Sequence, residues 1–152
     1  MKTCFGHWIR TIPFVDEDQT ELVAALVMRM TPLYYPAGEQ FVFVGETPEK
    51  MYMIRKGLVG CDNRVRRRDD CIGWDIVLLS MKQRDYSATA LTFVCLMALE
   101  RNDLFAELQA TDRTTQERIV RRARWLVVRR SSQRIGRAIR TSRRRSSSED
   151  NA

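Results

Sequence analysis

The middle of the chain, residues 33–99, consists of short apolar segments separated by turn residues. Turns are predicted at Pro36–Glu39, Gly45–Pro48, Arg55–Gly57 and around Asp62. Glycine, proline, aspartate and asparagine favour tight turns, and short apolar segments between them are typical of β-strands. About eight strands are predicted in this region, including one at IVLLS.

Helical periodicity brackets the strands on both sides. Apolar residues recur every three or four positions within residues 16–30, after acidic residues that suit a helix N-terminus. Short helices are predicted over residues 5–11 and from Asn102 or Asp103, and a capping box at Thr114–Glu117 predicts a long helix. The sequence therefore predicts an α+β fold, in which a β-roll of about eight strands is flanked by N-terminal helices and a long C-terminal helix.

Charge divides the chain into two parts. The formal net charge is +7, but residues 113–152 carry +10 and residues 1–112 carry −3. Basic segments bind phosphates on lipid headgroups, acidic partners or nucleic acid. We expect this one to contact anionic lipid, with its last part, residues 141–152, disordered because it is polar and of low complexity.

Several classes of function are disfavoured by composition. The four cysteines form no CxxC pair and the only histidine is His7, so neither a metal site nor a catalytic triad is predicted. We expect a protein that is not an enzyme and has no cofactor. The longest uncharged run, Ser87–Leu99, is shorter than the roughly 20 residues that span a bilayer.

Several short motifs follow one another in a fixed order. They are Ile12–Phe14 before the first long helix, the P-x-G-E turn of Tyr35–Glu39, Gly45–Glu46, the M-Y-x-I-x-x-G run of Met51–Gly57, and Ser87–Thr92. Their order and spacing resemble a cyclic nucleotide-binding domain. The residue patterns of the segments GWDIVLLS and SATALTFVCLMALERNDLF are similar to those of the voltage-gated channel branch, which includes the hyperpolarisation-activated and ether-à-go-go types.

This resemblance implies a domain organisation. Residues 1–11 would be the stub of a linker helix from a membrane pore, residues 12–130 the cyclic nucleotide-binding-like domain, and residues 131–152 a basic helix end with a disordered Arg/Ser tail. The expected function is a cytoplasmic regulatory domain of, or derived from, a voltage-gated potassium or cation channel. Its partners would be the rest of the channel polypeptide or pore subunits, in a tetramer.

Two other functions are weighed against the channel domain. One is a stand-alone sensor of cyclic AMP or cyclic GMP, or a kinase-regulatory-type domain, in the cytoplasm. The other is a nucleic-acid binder built like bacterial catabolite activators. That function is disfavoured, and no nucleic-acid partner is expected, because only about a dozen residues follow the long helix and a helix-turn-helix needs more.

The resemblance also implies which residues form the ligand pocket. In the family, one arginine pairs with the cyclic phosphate, and a glutamate beside a glycine accepts a hydrogen bond from the ribose. The arginine corresponds to Arg84 and the glycine to Gly73, so Trp74 replaces the glutamate. Tryptophan has no acceptor, and Asp75 lies one position too late. Asp85, after the arginine, would repel an anionic phosphate.

The pocket is therefore predicted to be degenerate, with cyclic AMP and cyclic GMP bound weakly or not at all. Losing a hydrogen bond to a charged group costs about 1.5–3 kcal/mol. Arg84 is expected to be either a phosphate ligand or a solvated hairpin arginine. The segment RTSRRRSSS is too polar to plug an apolar pocket, so an empty or otherwise filled pocket is expected.

The long helix is predicted to form a lid over the roll. Its apolar face contains Ile119, Ala123 and Leu126, whereas its arginines lie largely on other faces. The same helix also fits a basic amphipathic surface for anionic lipid, or a peptide that binds a groove with Trp125 as its anchor.

Overall fold

A computed structural model describes residues 11–149. The helices are α1 Thr20–Arg29, the 3-10 helix Trp74–Val77, α2 Arg101–Gln109 and α3 Arg113–Glu149. The strands are β1 Thr31–Tyr35, β2 Gln40–Val42, β3 Lys50–Lys56, β4 Val59–Cys61, β5 Arg64–Arg66, β6 Cys71–Ile72, β7 Ala88–Ala90 and β8 Val94–Glu100. The α+β class and the strand number predicted from the sequence are confirmed within this range.

The strands form two antiparallel sheets of four strands each. One sheet has the order β1-β8-β3-β6 and the other the order β2-β7-β4-β5. Side chains from both sheets share one buried cluster, which includes Val42, Val59, Ile54 and Leu96. The two sheets therefore pack against each other as a roll or sandwich around a common core.

Strand β3 contributes to two cores because its side chains alternate between the two faces of its sheet. Tyr52 and Ile54 belong to the core between the sheets. Met51 and Met53 belong to a second core between the sheet and the helices. Apolar residues at consecutive positions are therefore required here, as in any strand that is buried on both faces.

The helices cover the outer face of the β1-β8-β3-β6 sheet. Helix α1 buries Leu22, Val23 and Leu26, which recur at helical spacing. Helix α3 buries Ile119 and Ala123 in the same cluster. The start of α3 is thereby fixed against the body of the domain, near the 3-10 helix.

The start of α3 differs from the prediction. The helix begins at Arg113, because the carboxylate of Asp112 accepts a hydrogen bond from the Thr115 backbone N–H at 2.9 Å. Hydrogen bonding from Thr115 also lowers the pKa of Asp112. Asp112 is thus the N-cap, and the capping box predicted at Thr114–Glu117 is wrong.

The cap predicted for the short helix is also wrong. Helix α2 begins at Arg101, so Glu100 takes the N-cap position, and it makes no side-chain capping bond. Neither Asn102 nor Asp103 serves as the cap.

The end of α3 also differs from the prediction. The helix runs to Glu149, so most of the segment predicted to be disordered is helical. Its composition is polar, but arginine has a high helix propensity, and extending a helix is easier than nucleating one. Residues 1–10 and 150–152, with most of the proposed linker-helix stub, lie outside the described residues.

The segment IVLLS, predicted as a strand, belongs instead to the 3-10 helix and the turn after it. Ile76, Val77 and Leu78 are buried in the core beneath the helices. The Arg101 guanidinium donates to the Ile76 carbonyl at 3.0 Å and to the Leu78 carbonyl at 3.1 Å. A short apolar run does not distinguish a buried strand from a buried helical turn.

Candidate ligand pocket

A small cavity lies beside Gly73 and Trp74, two of the residues predicted to form the ligand pocket. The lining includes Asp62 of the β4–β5 hairpin, Gly73 and Trp74 before β7, Tyr86, and Arg130 of α3. The cavity volume is about 40 Å³. Sites for small organic ligands usually have volumes of about 300–1,000 Å³. The cavity therefore cannot hold a nucleotide unless the surrounding side chains move.

Arg84 is buried, with a side-chain exposure of 1%. Its Nη1 donates to Glu46 Oε1 at 2.8 Å, and its Nη2 donates to Asp75 Oδ1 at 3.3 Å and to the Lys50 carbonyl. Burial alone would lower the pKa of the guanidinium, but Tyr86, Asp75 and Glu46 raise it overall. The interpretation of Arg84 as a solvated hairpin arginine is wrong. Its Nη1 and Nη2 already have protein acceptors, whereas its buried Nε has no hydrogen-bond partner within the described residues.

Asp75 is buried between Arg84 and Tyr86. Its Oδ2 accepts a hydrogen bond from the Tyr86 hydroxyl at 3.1 Å. Burial, followed by the charge of Asp75, raises the pKa of Tyr86 well above its usual range. Tyr86 is therefore a neutral donor at physiological pH, and Asp75 is a structural partner of Arg84.

Two members of this network, Glu46 and Tyr86, were not predicted as site residues. Tyr86 lies two positions after Arg84, and residues two apart share a face of an extended chain, so the spacing could have suggested it. Glu46 lies 38 positions before Arg84. Its place in the Gly45–Glu46 motif was recognised only as part of a turn.

Gly73 is required by the backbone and by Arg84. Its φ is +83°, in the left-handed region that favours glycine. A Cβ atom at this position would lie 2.7 Å from Arg84 Nη2 and 2.7 Å from the Lys50 carbonyl oxygen. Gly73 therefore makes room for the Arg84 guanidinium beside the strand β3 backbone.

Trp74 and Asp85 occupy different surroundings. Trp74 is half-buried and packs against the core beneath the helices, with part of its surface lining the cavity. Asp85 is largely exposed, and its Oδ1 lies 3.9 Å from Arg130 Nη2. Asp85 was predicted to repel an anionic phosphate, but its carboxylate faces the Arg130 guanidinium from α3.

Arg130 occupies the pocket from the side of α3. The centre of its guanidinium lies 3.8 Å from the centroid of the Tyr86 ring, which is cation–π geometry. Its Nε donates to Asp62 Oδ2 at 3.2 Å. A residue of α3 thus fills the pocket, ten positions before the RTSRRRSSS segment that was considered as a plug.

The residues predicted to form the lid lie on the inner side of α3. Ile119 and Ala123 are buried, and Leu126 is half-buried. Arg118 Nη2 also lies 3.5 Å from Asp18 Oδ2, near the start of α1. The lid residues and Arg130 therefore contact different parts of the body, the former the helix-facing core and the latter the pocket.

The thiols near the cavity do not form a metal site. Cys61 and Cys71 both line the cavity, and burial raises the pKa of Cys71 far above its usual range. A protonated thiol is a poor ligand and a poor nucleophile. Within residues 11–149, no group of three or more His, Cys, Asp or Glu side chains is arranged to hold a metal ion.

In that same described range, no helix is both long enough and apolar enough to cross a membrane.

Comparison with known proteins identifies a fold. No family model and no curated protein matches the chain. Among solved structures, the chain is similar to the N-terminal domain of a transcriptional regulator from Streptomyces coelicolor A3(2), with 25% identity and a TM-score of 0.62. The match covers 84% of this chain and 95% of that one. This similarity fits a regulatory ligand-binding domain with a cyclic nucleotide-binding-like fold, and it gives no support to the channel branch.

Proposed function

We propose that the chain is a regulatory binding module, and not an enzyme, in which cyclic AMP and cyclic GMP bind weakly or not at all. The observation that carries this proposal is the state of Arg84. The guanidinium is buried and donates to two carboxylates and a carbonyl. A cyclic phosphate would have to compete with both carboxylates for the same N–H groups.

Electrostatics also disfavours a cyclic phosphate in this pocket. Asp75 is buried beside Arg84, and Asp62 and Asp85 lie near the mouth of the cavity around Arg130. Like charges repel strongly at short range when water is excluded. Trp74 adds no acceptor for a ribose hydroxyl. The residues present therefore do not fit the nucleotide that the family binds.

The output of the module is proposed to be helix α3. Its first turns pack against the core through Ile119 and Ala123, and Arg130 reaches the pocket. The proposal requires two positions of α3, one with Arg130 in the pocket and one with Arg130 released. A ligand that competes with Arg130 for the pocket binds the released position more tightly. Such a difference shifts the population between the two positions.

Isothermal titration calorimetry tests the proposed weakness of nucleotide binding. The wild-type chain should bind neither cyclic AMP nor cyclic GMP more tightly than about 10 μM, since the lost ribose and phosphate contacts each cost about 1.5–3 kcal/mol. The matched variant is Trp74→Glu, which restores an acceptor and should improve affinity. A submicromolar dissociation constant for the wild type would disprove this part of the proposal.

The context of the module has two candidates. The resemblance of the sequence favours a channel domain on the cytoplasmic side of a membrane, joined to pore subunits. The similarity to part of a transcriptional regulator favours the input domain of such a regulator. The two contexts differ in what the basic segment contacts, an anionic membrane surface or a nucleic-acid complex.

Co-sedimentation with vesicles tests the lipid contact that the channel context requires. In the channel context, the +10 segment should bind phosphatidylserine vesicles at low salt and release them near about 0.5 M salt, where screening is strong. A chain ending at Arg130, checked for folding by circular dichroism, should bind less. Equal binding by both chains, or binding that salt does not change, would rule out the basic segment as the lipid contact.

A further inference from the structure

The pocket around Arg130 has the chemistry of a site for a guanidinium cation. We propose that this pocket recognises guanidinium groups, that Arg130 is its intramolecular occupant, and that a small guanidinium compound can displace Arg130 and release the end of α3. The proposal rests on the proposed function, because it names the ligand class of the same pocket.

The aromatic wall of the site is held in place. The Tyr86 ring lies 3.8 Å from the Arg130 guanidinium centre, well inside the range of about 6 Å for a cation over an aromatic face. The Tyr86 hydroxyl donates to Asp75, which in turn pairs with Arg84. The ring is therefore oriented before any cation binds.

Two carboxylates complete the site. Asp62 accepts from Arg130 Nε at 3.2 Å, and Asp85 lies 3.9 Å from Nη2. Asp62 is in the tight turn of the β4–β5 hairpin, where it and Asn63 both have positive φ. A planar guanidinium with a fan of N–H donors suits an aromatic face with carboxylates at its edge better than a spherical ammonium does.

The charge around the cavity favours a cation when Arg130 is not counted. Among the side chains that the structure describes, the charged ones that line the cavity, or that contact Tyr86 or Arg130 of its lining, are Asp62, Asp75 and Asp85 against Arg66 and Arg84. Negative charge therefore exceeds positive charge before Arg130 enters. An anionic ligand would be repelled from this site, and a cationic ligand would be attracted.

Arg130 does not satisfy the site completely. Within the described part of the chain, its buried Nη2 has no hydrogen-bond partner. The side chain is tethered to α3 and cannot move freely to correct this. A free guanidinium compound has no such tether and can adopt a position in which more of its donors are bonded.

The Arg130→Ala variant of the full chain tests the proposal by chemical rescue. Its melting temperature should be below that of the wild type, and N-ethylguanidinium should raise it saturably at concentrations on the order of millimolar. N-ethylammonium has the same charge without the planar fork, so its effect should be about tenfold weaker. Arg129→Ala, which removes an arginine whose guanidinium centre lies 5.2 Å from the ring of exposed Trp125, should show no rescue by either cation.

A second variant covers the case in which Arg130→Ala does not fold. Arg130→Lys keeps the charge and most of the aliphatic stem but loses the fork, so N-ethylguanidinium should compete with it more easily than with the wild type. In the wild type and in Arg130→Lys, displacement of residue 130 by N-ethylguanidinium should speed hydrogen exchange in α3 after residue 130. Adding Asp62→Asn should weaken the effect about tenfold, since it removes the charged acceptor.

The outcomes separate this inference from the proposed function. Equal stabilisation of Arg130→Ala by both cations, or stabilisation by neither, overturns the guanidinium site and leaves the weak nucleotide binding of the wild type intact. Micromolar binding of cyclic AMP or cyclic GMP to Arg130→Ala also overturns it, because the pocket would then be a nucleotide site blocked by Arg130. Submicromolar nucleotide binding to the wild type would instead overturn the proposed function.

Discussion

Two arginines lie near the ring of Tyr86, with guanidinium centres 5.8 Å (Arg84) and 3.8 Å (Arg130) from its centroid, and they differ in how firmly they are held. Arg84 has a side-chain exposure of 1%, whereas that of Arg130 is 23%. Arg84 comes from the body of the domain and donates to three acceptors, whereas Arg130 comes from α3 and donates to Asp62. Within the described residues each has one buried nitrogen without a hydrogen-bond partner, Nε in Arg84 and Nη2 in Arg130. The comparison indicates that the first is a structural part of the pocket and the second is a replaceable occupant.

The largest expected effect is that of Arg84→Ala. The substitution leaves Asp75 buried without its cation, and breaking a buried pair in this way typically costs about 3–5 kcal/mol. Urea denaturation measures the change in the free energy of unfolding. Arg113→Ala, at a side chain that is 92% exposed, is the control and should have little effect. Similar losses for the two variants would contradict the structural role of Arg84.

Gly73→Ala should be the next most damaging change. It places a non-glycine residue at φ +83° and a Cβ atom 2.7 Å from the Lys50 carbonyl oxygen. Gly38→Ala is a matched control, because Gly38 has φ +90° and no neighbour within 4 Å of the added atom. The loss in the free energy of unfolding should be larger for Gly73→Ala than for the control by at least about 1 kcal/mol, which is the cost of overpacking. Thermal or urea unfolding measures this difference. Equal costs would mean that the Arg84 guanidinium moves aside freely.

Arg130→Ala should cost less than either of these changes. A partly exposed ion pair and a cation–π contact together account for about 1–2 kcal/mol. Arg129→Ala should cost less still, because Arg129 lies 5.2 Å from the ring of the exposed Trp125. If Arg130→Ala lowered the free energy of unfolding as much as Arg84→Ala, the distinction between a structural arginine and a replaceable one would be wrong.

The smallest expected effect is a pH dependence at the start of α3. The pKa of Asp112 is lowered by its hydrogen bonds from Thr115. Its contribution to stability is therefore complete above the usual aspartate pKa and is lost as the pH falls through the lowered value. Asp112→Asn caps a helix without titrating. Below about pH 4, the wild type should lose helicity relative to this variant, as measured by circular dichroism. Parallel pH profiles of helicity for the two proteins would contradict the capping role of ionised Asp112.

The sequence allowed the strands to be predicted because their signals are local. Asp62 and Asn63 suggested a hairpin, and their φ values of 57° and 56° confirm the tight turn between β4 and β5. The ends of helices were less predictable. The sequence contained a stronger-looking box at Thr114, but the Asp112 carboxylate accepts from the Thr115 N–H, and the helix already begins at Arg113.

The sequence brought Gly73, Trp74, Asp75 and Arg84 together as one candidate site, but not their contacts. Gly73 and Trp74 line the cavity, whereas Asp75 and Arg84 lie behind Tyr86 of its lining. Their roles depend on partners that are distant in the chain, and Arg130 lies 68 positions from the carboxylate it pairs with. Periodicity and composition carry no information about such pairs, so Arg130 was interpreted as part of a basic helix surface.

Strand β3 has a further consequence for how the molecule holds together. Its alternate side chains, Met51 and Met53 against Tyr52 and Ile54, are shared between the core beneath the helices and the core between the sheets. Neither core can lose its order without removing packing from the same strand. The two cores should therefore unfold together in one cooperative transition, and the backbone amides of β3 should be the last to exchange with solvent deuterium.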